Sequence, residues 1–240
     1  MVKNQANNSA VFDELRQVNN DMAEIMSTLF RWGWVDTTGG SFSTRMCSLP
    51  GHFALTPTHS GFGRWQLDDG LVVLDDQCRL SPQSTSTHLA HPSAIVHARI
   101  YSDFPLANAV LHTHSPYSLA FACRKDAIEP LTLHSQILGS VPCLCSDADD
   151  ITSRSTTYLG EIEEQITSGI VGYRYAHKHF SAFLPELTKL FVPRRDELAR
   201  HGLAFTVYKH GIFVIARNLN EAFDNLIRVE RNAQVQLMIN

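Results

Sequence analysis

The amino-acid sequence predicts one layered domain of the α/β or α+β class. Amphipathic patterns open and close the chain, and its middle carries short β-rich runs separated by turn residues. The 240 residues, of which 44% are hydrophobic, suffice for one well-buried core. No Gly/Ser/Pro-rich or charged tract marks a linker. We therefore expect a single domain over residues 1–240, with helices layered on a group of strands.

The first 80 residues predict a helix followed by short strands. Apolar residues at alternating steps of four and three form one stripe on a helix that ends near Gly33. They are Val11, Leu15, Val18, Met22, Ile25 and Leu29. In TTGGSFSTR, the double glycine permits a tight turn with exposed backbone amides. Strands are predicted at FALTP (53–57) and LVVLD (71–75).

The stretch 91–124 predicts a helix, a strand and a second helix. The first helix, in HPSAIVHARIYSDFP, has Pro92 in its opening turn and ends before Pro105. ANAVLHTH follows as a strand. Ser115 is placed to cap, and Pro116 to begin, the helix PYSLAFACR. The strand therefore runs directly into a helix N-terminus.

The C-terminal part predicts a strand pair and a closing helix. LAFTVYKHG and IFVIARN are β-rich and meet at His210 and Gly211, as a hairpin or an abrupt bend requires. The last helix starts around 218–220. FLPELTKLFVPRRDELARHG predicts a helix interrupted at Pro193. The polar stretch 147–181 is interpreted either as a lid or oligomer contact, or as a surface excursion.

Composition excludes several classes of protein. Twenty basic and 24 acidic residues give a net charge of −4 without a dense basic block, so we expect no nucleic-acid partner. Five cysteines without a CxxC pair fit a reducing compartment better than a disulfide framework. No signal core or run long enough to span a membrane occurs, so we expect a cytoplasmic protein without a membrane partner.

The sequence HTH predicts a metal site. Residues two apart on a strand point to the same face, so His112 and His114 present both imidazoles on one side. A first-row divalent ion needs at least one further protein ligand, and His210 at the predicted strand junction is the candidate. An HxH pair alone is a weak signal. Its position at a strand end before a helix start, where α/β proteins collect functional groups, strengthens it.

Four stretches resemble motifs of the class II aldolase/adducin family. HTHSPYSLAFA is similar to its HTH metal motif, and YKHGIFVIARNLNEAF to its HG strand pair with the following helix. GWVDTTGGSFSTR and ALTPTHSGFGR resemble its two phosphate-binding loops. The closing ERNAQVQL resembles the adducin-like branch. The similarity runs from about residue 10 to the C-terminus, apart from about 150–200.

The resemblance implies a fold, a cofactor and an assembly. The fold is a three-layer α/β/α arrangement with a central, mainly antiparallel sheet, and the assembly is a ring-shaped homotetramer. A divalent ion, Zn²⁺ or Fe²⁺ and also Mn²⁺, would bind His112, His114 and His210 and polarise a small carbonyl or carboxylate substrate. The implied substrate-binding residues are Gly39, Gly40 and Ser41 in the first loop, Thr58 and Arg64 in the second, and Gln136.

Two residues depart from the family pattern. The aldolases carry a proton-transferring glutamate four residues ahead of a helical histidine; with His97 as that histidine, the position holds Ser93. The dehydratase branch places another acid in a later segment, where this chain has neutral Gln136. A serine does not accept a proton near neutral pH without an adjacent base, so position 93 does not supply the proton acceptor of the aldolases. We therefore group Ser93 with His91 and Tyr117, the candidate proton donors, as the catalytic residues.

Three functions fit these residues. The first is a metal-dependent lyase that cleaves or decarboxylates a small oxo or hydroxy acid through a metal-stabilised enolate, since loss of carbon dioxide needs no prior proton abstraction. The second is a non-heme Fe(II) oxygenase that decarboxylates a 2-oxo acid on the same three histidines. The third is a non-catalytic, adducin-like assembly module. Adducin heads have generally lost the metal histidines, which this chain keeps.

Overall fold

The computed structural model describes residues 2–35, 40–57, 70–86, 90–145 and 180–239, with side chains from residue 8 onward. The helices are α1 (Val2–Arg31), α2 (Ala94–Asp103), α3 (Pro116–Arg124), α4 (Leu184–Phe191) and α5 (Leu219–Ile239). The strands are β1 (Ser41–Arg45), β2 (His52–Leu55), β3 (Val72–Asp75), β4 (Ala109–Thr113), β5 (Cys143–Leu144), β6 (Leu203–Val207) and β7 (Gly211–Ala216). 3₁₀-helices span Leu133–Ile137 and Val192–Ala199.

The predicted order of elements is confirmed, and the start of α2 and the end of α4 follow from their local sequences. Helix α2 starts at Ala94, because Ser93 occupies its N-cap and Pro92 precedes it. The interruption predicted at Pro193 appears as a change from α4 to a 3₁₀-helix, since proline lacks the amide hydrogen that an α-helix would use. In the described ranges, no helix combines the length and the apolar character of a membrane span. The predicted stretch 147–181 falls almost entirely outside the described residues.

The strands of the described residues form one seven-stranded sheet in the order β3-β2-β1-β4-β7-β6-β5. Neighbours pair antiparallel, except β5 and β6, which are parallel. The expected mainly antiparallel sheet is thereby confirmed. Its middle strand, β4, places His112 opposite Ser41 of β1 and Phe213 of β7. Directly opposed residues project from the same face of a sheet, so these three side chains share one face.

Helices cover both faces of the sheet. Along β4, Ala109 and Leu111 join one apolar cluster with α1, α3 and α5, and Val110 joins a second cluster with α2 and α4. This alternation is the period of two that a strand buried on both faces requires. The three-layer α/β/α architecture is therefore confirmed. His112, which is two residues from Val110, belongs to the face covered by α2 and α4.

Helix α3 is capped by a side chain from the other end of the chain. The prediction that Ser115 caps it is wrong, because the Ser115 hydroxyl donates instead to the Trp34 carbonyl at 2.9 Å. The buried Glu230 carboxylate of α5 accepts from the backbone amides of Tyr117 at 3.1 Å and Ser118 at 2.8 Å. A carboxylate also complements the positive end of the helix dipole. Glu230 thus fixes the start of α3 directly behind β4.

We expect Glu230→Ala to destabilise the fold strongly, because it leaves two helix amides in the interior without their acceptor. The free energy of unfolding should fall by about 2–4 kcal/mol, measured by urea denaturation. Asp13→Ala is the control, since Asp13 forms an exposed ion pair with Arg16. That change should stay within about 0.5 kcal/mol. Equal losses in the two variants would contradict the capping role of Glu230.

Candidate metal centre

Three imidazoles from two parts of the chain converge on one point. His112 lies in β4, His114 follows the same strand, and His210 lies in the turn between β6 and β7. One nitrogen from each ring lies within 4.8 Å of the other two. The ring centroid of His112 is 5.2 Å from that of His114 and 4.9 Å from that of His210. The described residues of this cluster offer three imidazoles and no carboxylate.

The orientation of His112 suits a metal ligand. Its Nδ1 lies 3.0 Å from the Ile212 carbonyl, which only accepts hydrogen bonds, so Nδ1 carries the proton. The lone pair is then on Nε2, which lies 3.1 Å from Nε2 of His210. Two nitrogens bound to one tetrahedral ion at about 2.1 Å lie about 3.4 Å apart. The observed spacing therefore fits two ligands of one ion, with the His112 tautomer set by a backbone carbonyl.

Burial keeps His112 in the form that binds metal. The side chain is fully buried, and desolvation lowers its pKa well below the usual range. The neighbouring His210 and His114 imidazoles lower the pKa further, since a second positive charge nearby is unfavourable. A neutral imidazole is the ligand that divalent metals require. At neutral pH, His112 is therefore ready to bind without first losing a proton.

The turn that carries His210 requires a glycine at its end. Val207 pairs with Gly211 across the hairpin, and Lys209 adopts a left-handed conformation with φ +55°. A Cβ at position 211 would lie 2.3 Å from the Thr113 carbonyl oxygen and 2.9 Å from Cδ2 of His114. Only glycine permits this approach, because such contacts are far inside van der Waals distance. Gly211 is thus what lets the turn bring His210 against β4.

Two phenylalanines form an apolar wall against the imidazoles. The ring of Phe213 stacks on His112 with centroids 4.1 Å apart and planes 10° from parallel. Phe180 packs edge-on against His210 with centroids 4.9 Å apart. Both phenylalanines are buried, at 2% exposure or less. These contacts restrict the rotamers of two candidate ligands and exclude water from one side of the cluster.

Three of the predicted site residues lie together beside this cluster. The ring of His91 has its centroid 6.4 Å from that of His112. Nδ1 of His91 is 2.8 Å from the Ser93 hydroxyl, which is 2.6 Å from the Ser41 hydroxyl. Ser41 and Ser93 are fully buried. The serine at the position of the family glutamate is therefore a hydrogen-bonding partner of His91, and the substrate-binding role predicted for Ser41 stays a prediction.

Other predicted residues lie elsewhere. The Tyr117 hydroxyl contacts Nε2 of Gln234 at 3.0 Å, and its ring packs on the α1 and α5 face, opposite the face that His112 shares with α2 and α4. Gln136 is exposed on a 3₁₀-helix and lines a cavity with Arg194, Glu197, Arg200 and His201, to which none of the three imidazoles contributes. Gly40 directly precedes β1 with φ +105°. Gly39, Thr58 and Arg64 lie outside the described residues.

Sequence reasoning missed part of the surroundings of His91. Ser43 and Tyr101 continue the hydrogen bonds inward from His97, which lies on α2. Two local signals were available. Ser41 and Ser43 are two apart on a strand, and His97 and Tyr101 are four apart on a helix, so each pair shares one face. Their meeting depends on how α2 packs on β1.

We expect Gly211→Ala to weaken metal binding about 10- to 100-fold, because the new methyl group pushes the His210 turn away from β4. Isothermal titration with Zn²⁺ measures the affinity. Gly51→Ala is the matched control: Gly51 also has a left-handed φ of +78°, but an added Cβ meets nothing within 4 Å. Its zinc affinity should equal that of the unaltered chain. The same affinity in both variants would show that the close approach at Gly211 is unimportant.

Comparisons with known proteins identify the family and the fold. The chain is 27% identical over 177 residues to L-ribulose-5-phosphate 4-epimerase of Salmonella paratyphi B, covering 67% of this chain and 73% of that protein. It is 24% identical over 226 residues to 3-oxo-tetronate 4-phosphate decarboxylase of Escherichia coli K12, covering 92% and 86%. The crystal structure of Escherichia coli YgbL has the same fold, with a TM-score of 0.67 and 21% identity over 94% of this chain and 90% of that one. The family model "Class II Aldolase and Adducin N-terminal domain" matches residues 20–237, so this chain belongs to that family.

Proposed function

We propose that this chain is a metal-dependent carbon–carbon lyase that decarboxylates a small oxo acid. The observation that carries the proposal is the convergence of His112, His114 and His210, with a serine–histidine pair and no carboxylate in the described cluster beside them. The similarity to a 3-oxo-tetronate 4-phosphate decarboxylase over 92% of this chain supports it. A divalent ion held by the three imidazoles would supply Lewis-acid polarisation of the substrate carbonyl.

The residues around the site favour carbon dioxide loss over proton abstraction. Ser93 is fully buried and bound to His91 and Ser41, and a serine hydroxyl is too weak a base to remove a proton from carbon. When a 3-oxo acid loses carbon dioxide, the electrons of the broken carbon–carbon bond remain on the substrate, which becomes an enolate. No base is needed for that step. Only a proton donor is needed, to return one proton to the carbon.

His91 is the residue that we assign as this donor. It is half-buried and its ring lies beside His112 and Phe180, each at a centroid distance of 6.4 Å. Tyr117, the other candidate, contacts Gln234 on the opposite face of the sheet. A positioned general acid typically accelerates a reaction 10²- to 10⁴-fold, which is ample for protonation of an enolate. Ser93 then acts on His91 and not on the substrate.

The homo-oligomer implied by the family resemblance is part of the proposal. Apolar side chains with large exposed fractions occur on the 3₁₀-helix at 133–137 and at the end of α5. The largest are Leu133 at 79%, Met238 at 78% and Ile239 at 68%. Exposed apolar groups of this size often mark contacts between subunits. A tetramer would cover them.

We expect His210→Ala to remove the bound metal with little loss of stability. His210 is only partly buried, in a turn, so its deletion leaves the sheet intact. Metal content is measured by elemental analysis and stability by thermal unfolding. His112→Ala would test the metal site less specifically, because the fully buried ring stacks on Phe213 and its loss also opens a cavity that lowers stability. Full metal content in His210→Ala would remove His210 from the ligand set.

We expect the protein to release one equivalent of carbon dioxide per product from 3-oxo acids without oxygen. The test uses protein purified without chelators, analysed for metals, and then assayed under nitrogen and under air with phosphorylated and unphosphorylated 3-oxo acids. Equal rates in both atmospheres would support the lyase. Turnover of 2-oxo acids that stops under nitrogen and is lost when iron is replaced by zinc would establish the oxygenase instead. Absence of bound metal and of affinity for divalent ions would establish the assembly module.

A further inference from the structure

A buried chain of hydrogen bonds leads from the interior to His91. Its members are Tyr101, Ser43, His97, Ser41, Ser93 and His91, and the first five are at most 4% exposed. Tyr101 Oη lies 2.7 Å from Ser43 Oγ, which lies 2.6 Å from Nδ1 of His97. Nε2 of His97 lies 2.9 Å from Ser41 Oγ. Contacts of 2.6 Å and 2.8 Å then join Ser41 to Ser93 and Ser93 to Nδ1 of His91.

The direction of the chain at His91 is set by a backbone amide. The N–H of Ser93 points at Nδ1 of His91 over 3.2 Å, and an amide N–H only donates. Nδ1 of His91 therefore holds no proton and accepts. The Ser93 hydroxyl, which contacts the same nitrogen, must then donate to it. The proton of the neutral imidazole is on Nε2, the nitrogen that Ser93 does not contact.

Each further bond follows from the one before. Because the Ser93 hydroxyl donates its hydrogen bond to His91, its oxygen is left to accept from the Ser41 hydroxyl. Ser41 in turn accepts from Nε2–H of His97. Burial, with a smaller contribution from His91, lowers the pKa of His97 to about 3, so this histidine is neutral and its Nδ1 accepts from Ser43. With Tyr101 as the donor to Ser43, each of the three serine hydroxyls donates once and accepts once.

The hydrogen-bond chain starts at Tyr101, whose hydroxyl keeps its proton. Burial raises the pKa of Tyr101 far above that of a free phenol, so its hydroxyl donates to Ser43. The Arg45 guanidinium lies 4.8 Å from the centre of the Tyr101 ring and donates to the Tyr101 carbonyl, which fixes this end of the chain. Tyr101 is 4% exposed, so the chain begins in the core. The hydrogen-bond chain therefore fixes the direction in which each group donates, and it does not carry protons from solvent.

We infer that Ser41, Ser43, Ser93, His97 and Tyr101 are positioning residues that hold His91 as a neutral imidazole with its proton on Nε2. In this form, Nε2–H donates its proton to the carbon of the enolate; the imidazolate that remains accepts from the Ser93 hydroxyl and amide at Nδ1, and half-buried His91 regains a proton from water. The tautomer is independent of any reaction, whereas its use on a substrate rests on the proposed function. If the network only stabilised the fold, its variants would change stability and leave the His91 tautomer as it is.

The test is ¹H–¹⁵N correlation spectroscopy of the full chain labelled with ¹⁵N-histidine, with and without zinc. The unaltered protein should show His91 and His97 each with a protonated Nε2 and an unprotonated Nδ1. In Ser93→Asp, a carboxylate accepts where the hydroxyl donated, and a charge-assisted hydrogen bond outcompetes the longer amide contact, so the His91 proton should move to Nδ1. Ser93→Asn has the same shape but keeps a donor, and should leave the proton on Nε2.

Two further variants separate positioning from stability. Ser41→Ala removes the acceptor of His97 Nε2–H and should give His97 a mixture of tautomers, while the Ser93 amide keeps the His91 proton on Nε2. Ser81→Ala removes another buried serine hydroxyl outside the hydrogen-bond chain and should change neither histidine. A protonated Nδ1 on His91 in the unaltered protein would overturn the inference, whether or not the variants fold. So would a proton that stays on Nε2 in folded Ser93→Asp.

An activity measurement then separates the inference from the proposed function. In the decarboxylation assay, Ser93→Asp should lower kcat about 10²-fold, as expected for loss of a general acid, while zinc content stays the same. Ser81→Ala, which lies outside the hydrogen-bond chain, should retain the activity. If the tautomers behave as expected and no protein in the series decarboxylates any 3-oxo acid, the positioning chain stands and the proposed function fails.

Discussion

The pairing of β4 with β7 and with β1 is the constraint on which the site depends. The register with β7 places the ring of Phe213 against His112 and the Ile212 carbonyl against its Nδ1. The register with β1 places Ser41 opposite the same histidine. A slip of one residue in either pairing would send these side chains to the other face of the sheet. The same backbone hydrogen bonds that hold the sheet together therefore also orient His112, the first candidate metal ligand, and the Ser41 hydroxyl on the same face.

The parts of the site that obey local rules could be predicted from the sequence. The period of two places His112 and His114 on one side of a strand, and the β-rich runs on either side of His210 and Gly211 predict the hairpin that carries the third ligand. Strand order could be expected only through the family resemblance. Local rules failed at Ser115, where a capping preference was overridden because Glu230, 112 residues from Ser118, reaches the helix amides instead. A contact of that sequence separation leaves no periodic signal.

The buried hydroxyl chain escaped prediction for a related reason. Serine, histidine and tyrosine on a strand and a helix are individually unremarkable, and each is more often exposed or half-buried. Only the packing of α2 on β1 joins Ser43 to His97 and Tyr101. Burial of so many polar groups is unfavourable unless every one finds a partner, and here the contacts form one continuous series. Such a network is specific to one register of helix on sheet, so it also helps to define that packing.

At position 93, where the family resemblance places the carboxylate of the aldolases, this chain has a hydroxyl, which donates a hydrogen bond beside the candidate metal ligands. A carboxylate there would accept hydrogen bonds and could remove a proton from carbon, whereas the Ser93 hydroxyl and amide both lie within donating distance of His91. A site built around a donor can return a proton to an enolate, but it has no group that starts a reaction by taking one. Carbon–carbon cleavage that begins with the loss of carbon dioxide needs only the former. The proposed chemistry therefore follows from the direction in which the Ser93 side chain donates.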